Sequence, residues 1–218
     1  MKDEIDMKKI IVSAIILMTF GAFQAKSAVD LGVIGGINNT TLKFEPEDNF
    51  DMEGRSGAAF GLFMNLQTNE FLSLQITPMW VQKGGEAKFD IGLLDYAEFR
   101  ANYFEIPVLA RINFDAGMIK PYLIIGPSVG FQLDAEYVAD DGSTTDISEQ
   151  TENMDFSLMG GAGLELEFDG LSLFGQFTYT NGLSNIDNGD GGLFDVTDEI
   201  YTRQLGFHAG VSVPFGSE

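Results

Sequence analysis

Eight segments of the chain share one pattern, in which apolar side chains alternate with glycine or polar side chains. In residues 156–186, leucine, phenylalanine and alanine alternate mainly with serine, glutamate and glycine. Because successive side chains of a β-strand point to opposite faces, a period of two predicts a strand with one apolar face. Asp169 and Gly170 interrupt this segment and favour a tight type I′ hairpin turn. The eight predicted strands are 31–42, 55–67, 70–83, 99–114, 118–133, 156–168, 171–182 and 200–215.

The connections between these strands alternate in length. Strands two and three, four and five, and six and seven are joined by a few residues at 68–69, 115–117 and 169–170. The other four connections are long and acidic, so every long loop lies at one end. Transmembrane barrels have this arrangement, together with an even number of strands. We therefore predict an all-β fold, an eight-stranded antiparallel up-and-down transmembrane β-barrel. The predicted long loops are 43–54, 84–98, 134–153 and 184–199.

The two faces of the strands predict which side meets the lipid. An eight-stranded barrel is narrow, with room inside for side chains only. The face rich in glycine and polar residues therefore points inward, and the apolar face meets the lipid. The side chains expected to face lipid in the hairpin are Phe156, Leu164, Phe177 and Tyr179. Aromatic girdles at the two membrane interfaces are expected to include Trp80, Tyr179, Tyr201 and Phe215.

The N-terminal segment has the features of a secretory signal peptide. Lys8 and Lys9 precede an apolar stretch over residues 10–23, and small residues follow at Ala25 and Ser27. This order is typical of a cleavable signal. We predict a signal peptide over 1–27, with the start of translation at Met7, and a barrel domain over 28–218. An uncleaved membrane anchor is the alternative.

Composition excludes several classes of function. The formal net charge is −21, which argues against binding to nucleic acid, because that requires basic patches. There is no cysteine, so disulfides and thiolate metal sites are excluded. With a single histidine, a histidine-based zinc site is not expected. No cofactor or metal is predicted.

Several polar side chains fall on the inward face of the predicted barrel. Buried charges must be paired to offset the cost of removing them from water. We therefore predict a structural luminal network, with Arg111 paired to a carboxylate near the end that carries the short turns. Its members are Glu105, Arg111, Glu165, Glu167, Gln176 and His208. Either the network plugs the lumen or it lines a narrow polar conduit.

The long loops carry clusters of acidic residues, at 140–142, Asp146 and 187–192. Carboxylate and backbone oxygens of this kind can hold Ca²⁺, or divalent ions that bridge lipopolysaccharide phosphates. Ordinary solvated turns rich in Asp, Asn and Gly are the other interpretation. Arg203, on the lipid-facing side of the last strand, is placed either to contact a lipopolysaccharide phosphate or to extend its charge to the interface.

Five segments, in order, resemble the PorT-like or "porin family" outer-membrane β-barrel proteins of the Bacteroidetes. The resemblance implies an eight-stranded barrel in the outer membrane of a Gram-negative cell. It implies no single activity, although some members of that family are linked to protein secretion. The segments are YFEIPVLAR (103–111), KPYLIIGPSVGF (120–131), GGAGLELEF with QFTYTNGLSNI (160–186), LGVIGGINNTTL (31–42) and SLQITPMWVQKGG (73–85).

These observations favour a non-enzymatic outer-membrane barrel, with a structural or anchoring role and acidic extracellular loops. The expected partners are outer-membrane lipid, lipopolysaccharide and proteins that bind the loops. Three alternatives remain: a small pore or secretion accessory, a lipid-modifying enzyme, and a soluble ligand-binding barrel. The enzyme would need His208 beside a nucleophile and an orienting carboxylate.

Overall fold

The computed structural model of the protein describes residues 28–45, 52–87, 97–139, 142–148, 153–184 and 199–215. The predicted signal peptide, Asp140, Asp141 and the 187–192 cluster lie outside these residues. Ten strand segments form one sheet. They are β1 (Val29–Glu45), β2 (Met52–Gln67), β3 (Leu72–Ile76), β4 (Met79–Ala87), β5 (Ala97–Asn113), β6 (Ile119–Ala139), β7 (Thr144–Asp146), β8 (Met154–Phe168), β9 (Leu171–Gly182) and β10 (Glu199–Phe215).

The sheet closes on itself as a ring of eight strands. Each strand pairs antiparallel with its neighbour along the chain, and β1 pairs with β10 over its whole length, from Val29 opposite Phe215 to Glu45 opposite Glu199. The segments β3 and β4 form a single member of the ring, because both keep one register against β5. The predicted all-β, eight-stranded up-and-down barrel is confirmed. Closure leaves the barrel wall without a free edge, as a bilayer requires.

The predicted strand 70–83 is interrupted at Thr77 and Pro78. Proline has no amide hydrogen and cannot donate to a sheet ladder. The flanking hydrogen bonds survive: the Leu62 amide donates to the Pro78 carbonyl at 3.0 Å, and the Thr77 amide donates to the Pro107 carbonyl at 3.2 Å. The wall is therefore continuous at this level although the strand is divided.

The strands extend further into the long-loop end than the sequence predicts. β1 continues to Glu45, β4 to Ala87 and β6 to Ala139. The short strand β7 lies inside the predicted loop 134–153 and pairs with residues 136–138 of β6. The polar composition of these segments resembles that of a loop, but pairing with a neighbouring strand satisfies their backbone groups and extends the sheet.

The predicted hairpin is present as β8 and β9. Phe168 pairs with Leu171 across the turn, and Gly170 has a φ of 81°, a conformation that glycine adopts without strain. The register continues to Ser157 opposite Gly182, so this hairpin makes two adjacent members of the ring.

Large apolar side chains cover the outside of the barrel. Ile37, Leu62, Phe177 and Phe207 are exposed on outward positions, and the Phe177 and Phe207 rings lie 5.0 Å apart. Among the predicted girdle residues, Tyr179 and Phe215 are exposed, whereas Trp80 and Tyr201 are partly covered. The outward face is therefore as apolar as the alternation predicts.

The prediction for Phe156 is wrong in one respect. In the alternation along β8 its position has the outward parity, which means that it belongs to the face that points away from the lumen. Its side chain is nevertheless only 5% exposed. It lies near the long-loop end of β8, where it pairs with Val129 and its carbonyl accepts the Leu183 amide hydrogen at 2.7 Å. Val129 and Leu183 are themselves partly covered. The chain at this end shields a position that the alternation alone assigns to lipid.

Side chains fill the lumen, and glycines on the inward face make room for the largest of them. A Cβ atom on Gly163 would collide with the Tyr122 ring, and one on Gly210 would collide with the Phe174 ring. Phe174 also contacts Phe63, with ring centroids 4.2 Å apart, and thereby joins β9 to β2 across the lumen. The inward glycines are thus packing partners of inward aromatic side chains.

Candidate functional site

A buried ionic group spans the lumen towards the long-loop end, and we call it the lysine cluster (Lys83, Glu105, Asp155, Ser184 and Thr202). The Lys83 ammonium lies 2.5 Å from Glu105 and 2.8 Å from Asp155, and all three side chains are at most 3% exposed. The Asp155 carboxylate also accepts hydrogen bonds from the Ser184 hydroxyl at 3.0 Å and the Thr202 hydroxyl at 3.2 Å. Lys83 on β4 and Asp155 on β8 belong to strands that are not neighbours in the ring, so their bond crosses the lumen.

A second group lies towards the short-turn end, and we call it the arginine cluster (Arg111, Glu165, Asn113 and Ser73). The Arg111 guanidinium forms an ion pair with Glu165. It also donates to the Asn113 side-chain oxygen at 2.7 Å, and the Asn113 amide donates to the Ser73 hydroxyl at 3.1 Å. Arg111 is 2% exposed, whereas the Glu165 side chain is 14% exposed.

A layer of amide and phenol groups lies between the two clusters. The Arg111 guanidinium stacks 3.7 Å from the centre of the Tyr122 ring, a favourable cation–π geometry. The Tyr122 hydroxyl donates to the Gln176 side-chain oxygen at 3.2 Å, and the Gln75 amide donates to the same oxygen at 3.2 Å. Gln75 on β3 and Gln176 on β9 lie on opposite sides of the ring, so this bond also crosses the lumen.

The structure divides the predicted luminal network rather than joining it. Glu105 belongs to the lysine cluster, and Arg111 with Glu165 forms the arginine cluster. Glu167 is not part of either: it pairs with Lys120, and its side chain is 52% exposed. Glu167 lies on the inward face of β8, as Glu165 does. It is closer to the hairpin turn than Glu165, at a level where the lumen opens to solvent. The expectation that Glu167 lies within the buried network is therefore wrong.

His208 is buried and lies apart from both clusters. Its Nε2 atom is 2.9 Å from the Asn38 side-chain oxygen, and no serine or carboxylate contact of the ring is found in the described part of the chain. A catalytic histidine needs a positioned nucleophile and an orienting group. The contact described for His208 is with an amide oxygen, and Asn38 is neither a nucleophile nor a carboxylate.

Sequence reasoning did not group Lys83 with Asp155. Both residues have the inward parity, and that signal was available in the sequence. The signal that they meet was not, because β4 and β8 are brought together only by closure of the ring. Asp155 is 1% exposed and accepts hydrogen bonds from Lys83, Ser184 and Thr202.

The short-turn end of the lumen opens into a cavity of about 510 Å³, which we call the short-turn cup. Arg111 and Glu165 form part of its floor, and the Asp30 carboxylate accepts a 3.0 Å hydrogen bond from Asn65. The charged residues of its lining are Asp30, Glu70, Asp115, Glu165, Glu167, Arg111 and Lys120. The cup therefore exposes Glu165 to water, whereas no carboxylate of the lysine cluster reaches it.

Among the acidic loop residues, Asp146 lies at the end of β7. A backbone hydrogen bond from Ser148, at 2.9 Å, holds the pKa of the Asp146 carboxyl below its usual range, and the Ser148 hydroxyl adds to the effect. This geometry is that of an Asx-type turn. Within the described residues, no group of three or more acidic or histidine side chains is arranged to hold a metal ion.

In the same part of the chain, no helix is long and apolar enough to cross a membrane.

The closed ring, its apolar outer face and its filled polar interior agree with the results of the family comparison. The model of the outer membrane protein beta-barrel domain matches residues 22–188, which is more than half of the chain. The chain belongs to this family. It is a transmembrane β-barrel of the outer membrane, and its cell of origin is Gram-negative. A comparison with curated proteins finds no match.

Solved structures of small outer-membrane barrels are similar to this chain. Neisserial surface protein A shares 15% identity at a TM-score of 0.50, over 85% of this chain and 97% of that one. OprG of Pseudomonas aeruginosa shares 13% identity at a TM-score of 0.49, over 89% and 99% of the two chains. Ail of Yersinia pestis shares 14% identity at a TM-score of 0.43, over 84% and 97%. The likeness to the Neisserial protein is a likeness of fold, the closed barrel.

Proposed function

We propose that the protein is a closed, non-enzymatic anchor that holds its acidic loops at the surface of the outer membrane. The observation that carries this proposal is the set of contacts that cross the lumen. Lys83 bonds to Asp155, Gln75 bonds to Gln176, and the Phe63 and Phe174 rings are in contact. A barrel whose opposite walls are joined at successive levels supports a structural role better than a solute pore.

Planar-bilayer recording of the purified, refolded barrel tests this proposal. We expect no discrete conductance steps under conditions in which a general porin, recorded in the same lipid, conducts. Steps of constant size that recur in independent preparations would support the alternative of a small pore or secretion accessory. The matched control for the recording is a double variant, Gln75→Gly with Gln176→Gly. It removes the Gln75–Gln176 hydrogen bond, which is one of the contacts that cross the lumen.

The chemistry of the lumen supports the non-enzymatic part of the proposal. His208 contacts an amide rather than a nucleophile, and the carboxylates of Glu105, Asp155 and Glu165 are paired with Lys83 and Arg111. We expect mass spectra of lipid A from cells with and without the protein to be identical. A mass difference that disappears in the His208→Gln variant would instead support a lipid-modifying enzyme.

We propose that the short turns face the periplasm and that the acidic loops face outward, following export by the signal peptide at 1–27. The loops are then available to protein partners, and Arg203, which is exposed on the outer face, is placed to contact a lipopolysaccharide phosphate. A pull-down from detergent-solubilised outer membranes, repeated with residues 187–192 replaced by a short turn, tests whether the loops recruit proteins. Native mass spectrometry of the protein and its Arg203→Gln variant tests lipopolysaccharide retention.

We also propose that the chain belongs to the PorT-like group within the wider barrel family. The support is the order of the five sequence segments, which fall on strands β1, β3 with β4, β5, β6 and the β8–β9 hairpin. If the link to secretion extends to this protein, we expect deletion of the gene to reduce the secreted fraction of the cell's exported proteins. An unchanged secreted fraction would leave the anchoring role alone.

A further inference from the structure

The short-turn cup carries more negative than positive charge. Its lining holds two cations, and each is already paired with a carboxylate of the same lining. Arg111 pairs with Glu165, and Lys120 pairs with Glu167. Three further carboxylates of the lining form no ion pair within the described residues, so five carboxylates against two cations give the cup a net charge of −3 when all are ionised. These three carboxylates belong to Asp30, Glu70 and Asp115.

Two neighbouring side chains of the lining offer acceptors for hydrogen bonds. Asp30 on β1 lies opposite Asn65 on β2, and the Asn65 amide donates to the Asp30 carboxylate at 3.0 Å. Asn65 is only 3% exposed, and its side-chain oxygen has no hydrogen-bond partner within the described residues. A buried acceptor without a partner is costly. Because Asn65 lines the cup, a donor that enters the cavity can satisfy this oxygen and the adjacent carboxylate together.

Aromatic rings line the same cavity. Phe71 follows β2, Phe114 follows β5 and Phe168 ends β8, and all three are exposed side chains of the cup lining. Apolar stems pack against such rings, and the ring faces attract a positively charged nitrogen. The cup therefore combines an excess of carboxylates with apolar surface.

This combination selects an organic cation rather than an anion or a metal ion. The excess negative charge repels anions. Among the described residues, no three acidic side chains are gathered to hold a metal ion, so the carboxylates are dispersed around the cavity. A primary ammonium group has three N–H donors, and an attached alkyl stem suits the rings. The volume of about 510 Å³ falls in the usual range of small-ligand sites, about 300–1,000 Å³.

We infer that the short-turn cup binds a primary alkylammonium group. The ammonium donates to the Asp30 carboxylate and to the Asn65 side-chain oxygen, and the alkyl stem packs against the phenylalanine rings of the lining. Free diamines and the lysine residues of peptides both present this group, and the experiment below distinguishes these two sources. The inference does not depend on the anchoring role or on the membrane orientation proposed above, because binding is measured on the purified barrel.

Nuclear magnetic resonance titration of the refolded barrel, in micelles of an uncharged detergent, tests the inference. With 1,5-diaminopentane we expect saturable shifts of the Asn65, Asn113 and Gly170 amide signals, which belong to the cup lining, and no shift at Ala135 near the long-loop end. The uncharged 1,5-pentanediol has the same length and should cause no saturable shift. Equal shifts with the diol would overturn the inference. An acetyl-lysine methylamide that binds more tightly than the diamine would assign the site to lysine residues of peptides, and weaker binding would assign it to free diamines.

Two variants with the same change of charge locate the site. Asp30→Asn keeps the side-chain shape but removes the carboxylate charge, so we expect the affinity for 1,5-diaminopentane to fall about tenfold. Asp169→Asn lies in the β8–β9 turn, outside the cup lining, and should leave the affinity nearly unchanged because an exposed charge is screened. Equal losses in the two variants would show unspecific attraction and overturn the inference. If Asp30→Asn does not fold, the comparison of the diamine with the diol on the unaltered protein decides the question.

Discussion

The lysine cluster and the arginine cluster are both buried ionic groups in one narrow lumen, yet they differ in access to water. In the lysine cluster, the cation and both carboxylates are almost fully buried. In the arginine cluster, the cation is almost fully buried but its carboxylate partner is not, because Glu165 opens onto the short-turn cup. The cost of removing the cation therefore depends on the surroundings of the partners that it leaves behind.

The two clusters also differ in what else supports the cation. Two carboxylates share the Lys83 charge, so the group carries a net charge of −1 when all three are ionised. Arg111 has one carboxylate, one side-chain amide oxygen and the face of the Tyr122 ring. The first cluster is therefore held chiefly by charge pairing, and the second by a mixture of charge pairing, hydrogen bonding and stacking.

Lys83→Met should have the largest effect on the free energy of unfolding. It leaves Glu105 and Asp155 buried without a cation, and breaking a buried pair in this way costs about 3–5 kcal/mol. Equilibrium urea unfolding from lipid vesicles, followed by the fluorescence of Trp80, the only tryptophan, measures the loss. Adding Glu105→Gln to this variant should recover part of the stability, since one uncompensated charge is removed. A loss equal to that of an exposed lysine variant would contradict the account of this cluster.

Arg111→Met should have a smaller effect, of about 2–3 kcal/mol. The Glu165 carboxylate keeps contact with water through the cup, so it loses less than a sealed carboxylate would. The same unfolding assay gives the comparison with Lys83→Met directly. Arg111→Lys controls for charge alone, because lysine keeps the ion pair but not the planar stacking on Tyr122. If Arg111→Met proved more costly than Lys83→Met, access to water would not be the deciding factor.

Lys120→Met should have the smallest effect, within about 1 kcal/mol. Lys120 pairs with Glu167 at the rim, where both side chains are substantially exposed. Salt screens exposed pairs far more than buried ones, so raising the ionic strength should remove this small difference while leaving the Lys83→Met loss in place. Unfolding curves at low and high salt measure both. A Lys120→Met loss that persists at high salt would show that the rim pair is less solvated than its exposure indicates.

Much of the fold follows from short-range features of the sequence. The alternation along β8 and β9 specifies which face of each strand is apolar, and Asp169-Gly170 specifies the turn between them. The alternation of short and long connections, together with the strand count, leads to a closed barrel. Pairing beyond the apolar stretches was harder to predict: β7 and the extension of β6 to Ala139 have a loop-like composition, and a neighbouring strand decides their structure.

The site was only partly predictable, for the same reason. Parity along each strand places Glu105, Arg111, Glu165 and His208 in the lumen, but it also places Glu167 there. Height along the barrel, which parity does not contain, moves Glu167 to the solvated rim and separates His208 from both clusters. Phe156 shows the converse on the outer face, since neighbouring chain covers a position whose parity points to lipid.

Local periodicity and composition are enough to predict the strand faces, the hairpin turn, the even strand number and the need for buried charges to find partners. Three contacts depend instead on the closed barrel: Lys83 pairs with Glu105 and Asp155, Arg111 stacks on Tyr122, and Gln75 meets Gln176. Lys83 and Asp155, like Gln75 and Gln176, lie on strands that are not neighbours in the ring, whereas Arg111 and Tyr122 lie on the adjacent strands β5 and β6. Closure of the ring and the register of its strands bring them together, and no pattern within a single strand encodes that arrangement.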